Sequence, residues 1–338
     1  MILKSILTIV FFTTFAVFAS KGNILVTGGN GYIGLSTCRA LKENGYTPVS
    51  VDNSSNSEMP TVKWGPIEKG DILNKKWLYK IFKKYQFIGV IHLAAKIYVP
   101  DSVENPLLYY RENVDGLLNI LDLCTEFGIK GIVFASTSAV YGNLETDDPV
   151  SENRPLMTLS PYAETKLIGE NLLRYFYQSY KIPVTILRYF NVSGIDKSTG
   201  NLDGHSVHLI PSIFKVFQSE CVKVQVNGTD YQTRDGTCIR DYVHVIDVAN
   251  ANAAALEYAM NTKELLIANI GSGKGYSVNE VVKNFAEYAK REYITEFKDR
   301  RHGDVPIVVA DINTAKQKLN WEPRNSALEN IVKSYYEK

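Results

Sequence analysis

The sequence predicts an α/β fold: a doubly wound parallel sheet that carries the chemistry, followed by a smaller C-terminal α/β substrate unit. Three observations predict it. Short apolar runs alternate with amphipathic stretches up to Asn191. A glycine-rich turn joins the first run to the first amphipathic stretch. Chemically able side chains sit just beyond the ends of the runs, where sheets of this kind bind their ligands.

The first run, Gly22-Asn23-Ile24-Leu25-Val26-Thr27, reads as a buried strand. Gly28-Gly29-Asn30-Gly31-Tyr32-Ile33-Gly34 follows it. Then comes Ser36-Thr37-Cys38-Arg39-Ala40-Leu41, a helix expected to end near Gly45. Strand, glycine turn and helix in that order make a Rossmann-type dinucleotide cradle, with a helix N-terminus aimed at a pyrophosphate. Gly28, Gly31 and Gly34 have a wider first spacing than the commonest fingerprint, but the turn and the close backbone approach obey the same physics. The bland alternative is a turn whose glycines serve only its backbone angles. Pro48-Val49-Ser50-Val51 is the expected second strand, and it ends at Asp52, placed for the adenosine ribose hydroxyls. Asn53, Ser54, Ser55 and Asn56 follow, with no Arg or Lys to receive a 2′-phosphate, so NAD is expected rather than NADP.

Further strands are expected at Phe87 to Leu93, Gly131 to Ala135 and Val184 to Leu187. Amphipathic helices are expected at Trp77 to Tyr85, Leu107 to Phe127 and Ala163 to Tyr180. Asp71, Ala94-Ala95-Lys96, Ser136-Thr137-Ser138 and Arg188-Tyr189-Phe190-Asn191 cluster with Asp52 after strand ends. The expected division is a NAD-binding unit over residues 21–190 and a substrate unit over 191–338, some of whose segments return to the first.

A chain of 338 residues has ample room for a buried core. Its net charge of +1 gives no basic bias toward nucleic acid. The cysteines Cys38, Cys124, Cys221 and Cys238 lack metal-ligand spacing and read as reduced thiols, so no metal is expected. Residues 1–20 are the exception to a cytosolic composition. Lys4 precedes an uncharged apolar run from Ser5 to Ala19, which reads as a secretory signal or a short anchor, or as a misassigned start. The cofactor argues instead for the cytoplasm. So do the Asn-X-Ser sequons at Asn53 and Asn191, where a glycan would block the site.

Ser160-Pro161 is a good helix opening, since Ser caps and Pro suits the first helical position. Tyr162 and Lys166 then share one helix face. A free phenol ionises near 10, so a phenolate at neutral pH needs a shift of roughly three units, about 4 kcal/mol. A neighbouring ammonium and a positively charged nicotinamide would supply it. The tuned phenol would take a proton from a sugar hydroxyl as hydride leaves the same carbon, with Thr137 as a relay. A Tyr/Lys pair alone is usually surface decoration; behind a dinucleotide turn it is not.

These residues resemble the extended short-chain dehydrogenase/reductases, and within them the UDP-glucose (UDP-galactose) 4-epimerases. The resemblance runs from Asn23 to Trp321. It rests on the glycine turn, Val140-Tyr141-Gly142, Ser160-Pro161-Tyr162 with Lys166, Arg188-Tyr189-Phe190-Asn191, Asp235-Gly236-Thr237 and Arg240-Asp241-Tyr242-Val243-His244-Val245. It implies transient oxidation of C4 of a UDP-hexose to a 4-keto sugar, with tightly held NAD returning hydride to either face. By motif, Tyr162 is the base, Lys166 tunes the phenol and contacts ribose, and Thr137 relays the proton. Gly28, Gly31, Tyr32, Ile33, Gly34, Asp52, Asn53, Asp71, Ile72, Ala94, Asn113 and Tyr189 would contact NAD beside Tyr162 and Lys166. Asn191, His208, Leu209, Arg240, Arg301 and Asp304 would hold the UDP-sugar beside Thr137 and Tyr162. Arg240 and Arg301 would take the pyrophosphate, a bidentate task that suits Arg.

Similar dehydratases carry an Asp-Glu pair after the relay Thr, and similar decarboxylases a Glu two places on. Ser138-Ala139 stand here, which favours epimerisation. Asn227 stands where many such epimerases carry an aromatic residue against uracil, and Val308 at the position whose bulk gates N-acetylated sugars. The competing readings are the same C4 inversion on a UDP-N-acetylhexosamine or UDP-pentose, a non-catalytic nucleotide-sugar-binding protein, and a secreted structural protein. The helices Leu107 to Phe127 and Ala163 to Tyr180 imply a homodimer through a four-helix bundle.

Overall fold

The computed structural model describes residues 20–55, 63–143, 148–199, 208–300 and 305–337. Its strands are β1 (Asn23–Thr27), β2 (Thr47–Asp52), β3 (Ile67–Lys69), β4 (Gly89–His92), β5 (Ile132–Thr137), β6 (Val184–Tyr189) and β7 (Asn191–Ser193). They continue with β8 (Lys223–Asn227), β9 (Ile239–His244), β10 (Leu265–Ile270), β11 (Gly275–Ser277), β12 (Ile294–Lys298) and β13 (Ile307–Val308). The helices begin with α1 (Tyr32–Glu43), α2 (Lys75–Tyr85), α3 (Val99–Glu104), α4 (Pro106–Tyr110), α5 (Gly116–Glu126) and α6 (Pro161–Tyr180). They end with α7 (Leu209–Phe217), α8 (Val245–Thr262), α9 (Val278–Ala289), α10 (Asn313–Leu319) and α11 (Leu328–Tyr336).

Seven parallel strands form the main sheet in the order β10-β6-β5-β4-β1-β2-β3. Both its faces are covered, which is why its strands read as unbroken apolar runs rather than alternating ones. Ile24, Val26, Ile91, Val133 and Leu187 point to the face covered by α1 and α8. Leu25, Val90, Ile132, Phe134 and Ile186 point to the face covered by α2, α5 and α6. The alanines of α8 let it lie close against α1. Each large aliphatic side chain so buried contributes about 1.5–3 kcal/mol. The chain runs outward from β1 to β2 and β3, then returns to β4 on the other side of β1. The carboxyl ends of β1 and β4 therefore bound the crevice at the switch in strand order.

The stretch Leu107 to Phe127, expected as one helix, is interrupted. A π-helical turn over Arg111–Asp115 separates α4 from α5. One extra residue per turn there rotates Asn113 inward, a distortion common at functional sites.

The later part of the chain builds a second sheet in which β11 runs antiparallel, and β13 and β7 parallel, to β9. A two-stranded pair, β8 with β12, lies apart from it. The aromatic and aliphatic core under α7, α9 and α11 holds this unit together. It is not a separate stretch of chain, because β10 pairs with β6 in the main sheet and α8 packs on α1. Among the described residues no helix is long and apolar enough to cross a membrane, and no group of His, Cys, Asp and Glu could hold a metal ion. Segment 1–19 of the apolar N-terminus lies outside the described residues.

Candidate active site

The turn after β1 is built by backbone. Gly28 takes φ +69°, its N–H donates to Val51 O at 2.8 Å, and Gly31 N–H donates to Gly28 O at 3.1 Å. A Cβ on Gly28 would stand 2.9 Å from Ala94 N, and one on Gly34 2.1 Å from Gly28 O. Gly31 caps α1 without a side-chain hydrogen bond, and the first turn of α1 has no acidic residue. Its free N–H groups suit a pyrophosphate. This glycine-lined cradle, which a single Cβ would fill, fits NAD.

Asp52 ties the cradle to the end of β2. Its Oδ2 accepts from Asn30 N–H at 3.1 Å and its Oδ1 from Ser54 N–H at 2.8 Å. Asn53 donates to Asp71 Oδ2 at 3.3 Å, and Asp71 Oδ1 accepts from Leu73 N–H at 2.8 Å. Ile72 is buried against the main core, and Ile33 packs on its other half. The phenol of Tyr32 donates to Gly194 O, away from the turn, and burial holds it protonated, helped by Tyr335 and Asp196.

His92, at the end of β4, was not singled out by its sequence, where it reads as one more strand residue. Its Nδ1 lies 2.7 Å from Thr27 Oγ1, and that oxygen also accepts from Ala94 N–H at 3.3 Å. Burial, and then the charge of Lys166, push the imidazole down to about 3. It is a neutral strap between β1 and β4.

The side chain of Asn113 is fully used. Its Oδ1 accepts from Lys96 N–H at 2.8 Å, and its amide donates to Lys96 O and Thr165 Oγ1, both at 3.0 Å. It clamps the loop after β4 to α6. Tyr189, expected beside the cofactor, donates to Asn252 Oδ1 at 2.6 Å, and Asn252 reaches Thr37 Oγ1 at 3.0 Å. Its hydroxyl faces the core between β6, α8 and α1.

Helix α6 begins as its sequence predicts: Ser160 Oγ accepts from Ala163 N–H at 3.2 Å, and Pro161 takes the first turn. The first turns of α6 bring Tyr162 and Lys166 to the end of β5. Thr137 Oγ1 accepts from Ala139 N–H at 3.2 Å, and Thr137 favours the ionised form of the Tyr162 phenol. Lys166 Nζ donates to Ala135 O at 2.8 Å and lies 5.1 Å from the centre of the Phe134 ring.

Burial pushes the Tyr162 phenol up to about 12, against the pull of Thr137. Burial also brings Lys166 down to about 8, so its ammonium is costly here and is committed to a carbonyl oxygen. In the protein alone desolvation outweighs the pull of Thr137. A further positive charge is needed to ionise the phenol.

The residues expected to hold substrate gather on the second sheet. Asn191 opens β7 and is exposed, and its backbone pairs with Tyr242 of β9. Arg240 Nη1 donates to Ile239 O at 3.0 Å, and Arg240 pairs in register with Val308. Leu209 opens α7, and His208 before it is exposed. Arg301 and Asp304 lie outside the described residues.

Behind the Tyr162–Lys166 turn lies a fully buried pair, Glu170 and Arg188. Arg188 Nε donates to Glu170 Oε1 at 2.9 Å and Nη2 to Oε2 at 2.7 Å, while Ser136 Oγ donates to Oε1 at 2.6 Å. An acid one turn beyond Lys166 on an otherwise apolar helix face was the only sequence signal.

A parallel sheet with its dinucleotide crevice at the strand switch, and a Tyr-Lys pair beside a strand-end Thr, define an extended short-chain dehydrogenase/reductase. Residues 24–271 match the NAD dependent epimerase/dehydratase family, and the chain belongs to that family. It is 40% identical over 307 residues to the UDP-glucose 4-epimerase of Rhizobium meliloti (strain 1021), covering 90% of this chain and 93% of the relative. The UDP-glucose 4-epimerase of Brucella ovis, solved with NAD, superposes with a TM-score of 0.88 at 37% identity, over 93% of this chain and 97% of the other. The enzyme of Stenotrophomonas maltophila, solved with NAD and formylated UDP-arabinopyranose, gives 0.88 at 32% identity over 93% and 97% of the two chains.

Proposed function

We infer that the chain catalyses NAD-dependent epimerisation at C4 of a UDP-hexose, interconverting UDP-glucose and UDP-galactose. The placing of Tyr162 and Lys166 on the first turns of α6 at the end of β5, beside Thr137 and next to the glycine cradle, carries this reading. NAD, when bound, supplies the group that accepts hydride from C4 and gives it back. The chain's residues move the proton. The Tyr162 oxygen takes it from the C4 hydroxyl, directly or through Thr137, and returns it to the ketone oxygen. Lys166 and the charge of a bound nicotinamide would bring the phenol down from about 12 toward the working range. Neither Ser138 nor Ala139 can act as an acid, so no elimination competes. Asn191, His208, Leu209 and Arg240 are the proposed holders of the UDP-sugar, with Arg301 and Asp304.

The test is incubation of the purified full chain with UDP-galactose, UDP-N-acetylgalactosamine and a UDP-pentose, without added NAD, followed by chromatography. UDP-glucose should form from the first. Tyr162→Phe should lower kcat by roughly 10²–10⁴-fold. Equal activity of Tyr162→Phe and the natural chain would overturn the assignment of the base, and turnover of another sugar in place of UDP-galactose would replace the substrate.

We also propose a homodimer. Val103, Leu107, Leu118 and Tyr175 on α3 to α6 are 62%, 69%, 42% and 69% exposed. The elements α3, α4 and α5 all pack on α6, so these apolar side chains belong to one helical layer that a second copy would cover. The proposed location is the cytoplasm, where NAD and UDP-sugars are supplied. Recovery in the membrane fraction that is lost on deleting residues 1–20 would assign that segment as an anchor instead.

A further inference from the structure

The fully buried Glu170–Arg188 pair is more than an isolated ion pair. Glu170 stands on α6 one turn beyond Lys166. Its two oxygens take both Arg188 bonds, and Oε1 takes the Ser136 hydroxyl as well. Ser136 is the residue before Thr137 on β5, and Arg188 is the residue before Tyr189 on β6. Arg188 Nη1 extends the system, donating to Tyr141 OH at 3.0 Å and Glu152 O at 3.1 Å. Tyr141 then donates to Asn269 Oδ1 at 2.6 Å, on β10. The network therefore joins α6 to the ends of three adjacent strands. Burial alone would weaken the Arg188 cation, and the Glu170 bonds outweigh it.

A packed apolar interface between α6 and the sheet would hold the helix at about the right distance. It would not fix its slide along the strands, because dispersion contacts are non-directional. A bidentate guanidinium–carboxylate pair has a fixed geometry. Here it stands within one turn of Lys166, and the added serine bond ties it to the residue beside the relay.

We propose that Glu170, held by Arg188 and Ser136, is the positioning residue of the reaction: it sets the register of α6 against β5, and so the approach of the Tyr162 phenol to Thr137. It touches neither substrate nor cofactor and acts through Tyr162, Lys166 and Thr137. The inference rests on the reading of Tyr162 as the base.

The test compares Ser136→Ala, Glu170→Gln, the charge-free pair Glu170→Gln/Arg188→Met, and Tyr162→Phe, all in the full chain with its bound NAD. Ser136→Ala removes one hydroxyl and leaves the buried charges paired, so it is the variant that decides if the others do not fold. Each positioning variant should lower kcat, by several-fold for Ser136→Ala and about tenfold or more for Glu170→Gln. KM for UDP-galactose and the retained NAD should stay within twofold. The pH limb of kcat assigned to the phenol should move upward, because a displaced Tyr162 loses the nearby Thr137 that favours its ionised form. A purely structural brace would lower the melting temperature and leave kcat and that limb in place, which overturns the proposal. So does a loss explained by KM or by lost NAD. If Tyr162→Phe is fully active the base assignment itself fails; if it is inactive while Ser136→Ala keeps kcat and limb unchanged, only the positioning inference fails.

Discussion

Replacing Gly34 by Ala is the most direct probe of the cradle, because the structure assigns it two opposed effects. Gly34 is the third residue of α1, so Ala should favour the helix by about 1 kcal/mol. Against this, the new Cβ would lie 2.1 Å from Gly28 O and 2.7 Å from Gly29 Cα. Both are backbone atoms of the turn, and neither can swing aside. Relief needs α1 to move from the turn by roughly 1 Å, at the usual overpacking cost of about 1–3 kcal/mol. The two terms nearly cancel in folding, so melting should shift by only a few degrees. Cofactor binding has no such compensation, because the displaced helix start must return to meet the pyrophosphate. At 1.4 kcal/mol per factor of ten, NAD affinity should fall by roughly 10–100-fold. A Cβ on Gly31 would meet only Gly28 O, at 3.2 Å, so Gly31→Ala reads the approach of the ligand rather than packing within the turn. Calorimetric titration of cofactor-stripped protein with NAD reads both variants. If Gly34→Ala binds NAD within twofold of the natural chain, the close-packing account of the cradle is wrong.

Two further predictions concern pH and assembly. Burial holds His92 near 3 and His244 near 4, while the unfolded chain protonates both near 6.5. Above pH 6.5 neither state binds these protons. Between 6.5 and the folded values the unfolded state binds more, so stability should fall as pH drops through that window. Thermal melts from pH 8 to 4 should show it, and His92→Asn should remove about one proton's worth of the slope; an unchanged slope would assign the acid sensitivity elsewhere. For assembly, Leu107→Glu should halve the mass seen by sedimentation while circular dichroism stays unchanged, and a natural chain that sediments as a monomer would end the homodimer proposal.

The parts of the site legible in the sequence are those fixed by neighbours along the chain. The turn from Gly28 to Gly34 announces itself because strand, glycines and helix are consecutive. Tyr162 and Lys166 announce themselves because helical spacing puts them on one face and Ser160-Pro161 marks the helix start. What was not legible depends on residues far apart in sequence. The pattern over Leu107 to Phe127 is amphipathic throughout, and nothing in it signals the π turn, which is set by the bonds of Asn113 to Lys96 and Thr165. Arg188 looked like a strand-end candidate and is instead the buried partner of Glu170. Tyr189 was placed correctly at the end of β6, but the direction of its hydroxyl depends on Asn252, from a helix whose docking no local pattern reveals. The upward push on the Tyr162 phenol in the protein alone escapes local pattern for a related reason. Charge proximity can be read from spacing, whereas full desolvation depends on everything packed around the group.

The docking of β10 and α8 bears on how the molecule comes into being. Strand β10 pairs with β6 from Leu265↔Val184 to Ile270↔Tyr189. Helix α8, Val245–Thr262, closes the α1 face. During synthesis the ribosome delivers the whole glycine turn and the Tyr-Lys pair long before either closing piece. Until then β6 remains an open edge, and α1 alone covers that face of the nascent sheet. Unpaired edges and uncovered apolar faces of this kind are prone to aggregate. The main sheet is therefore complete only when most of the chain has been made, and expression of residues 21–190 alone should yield aggregate rather than a smaller NAD-binding protein.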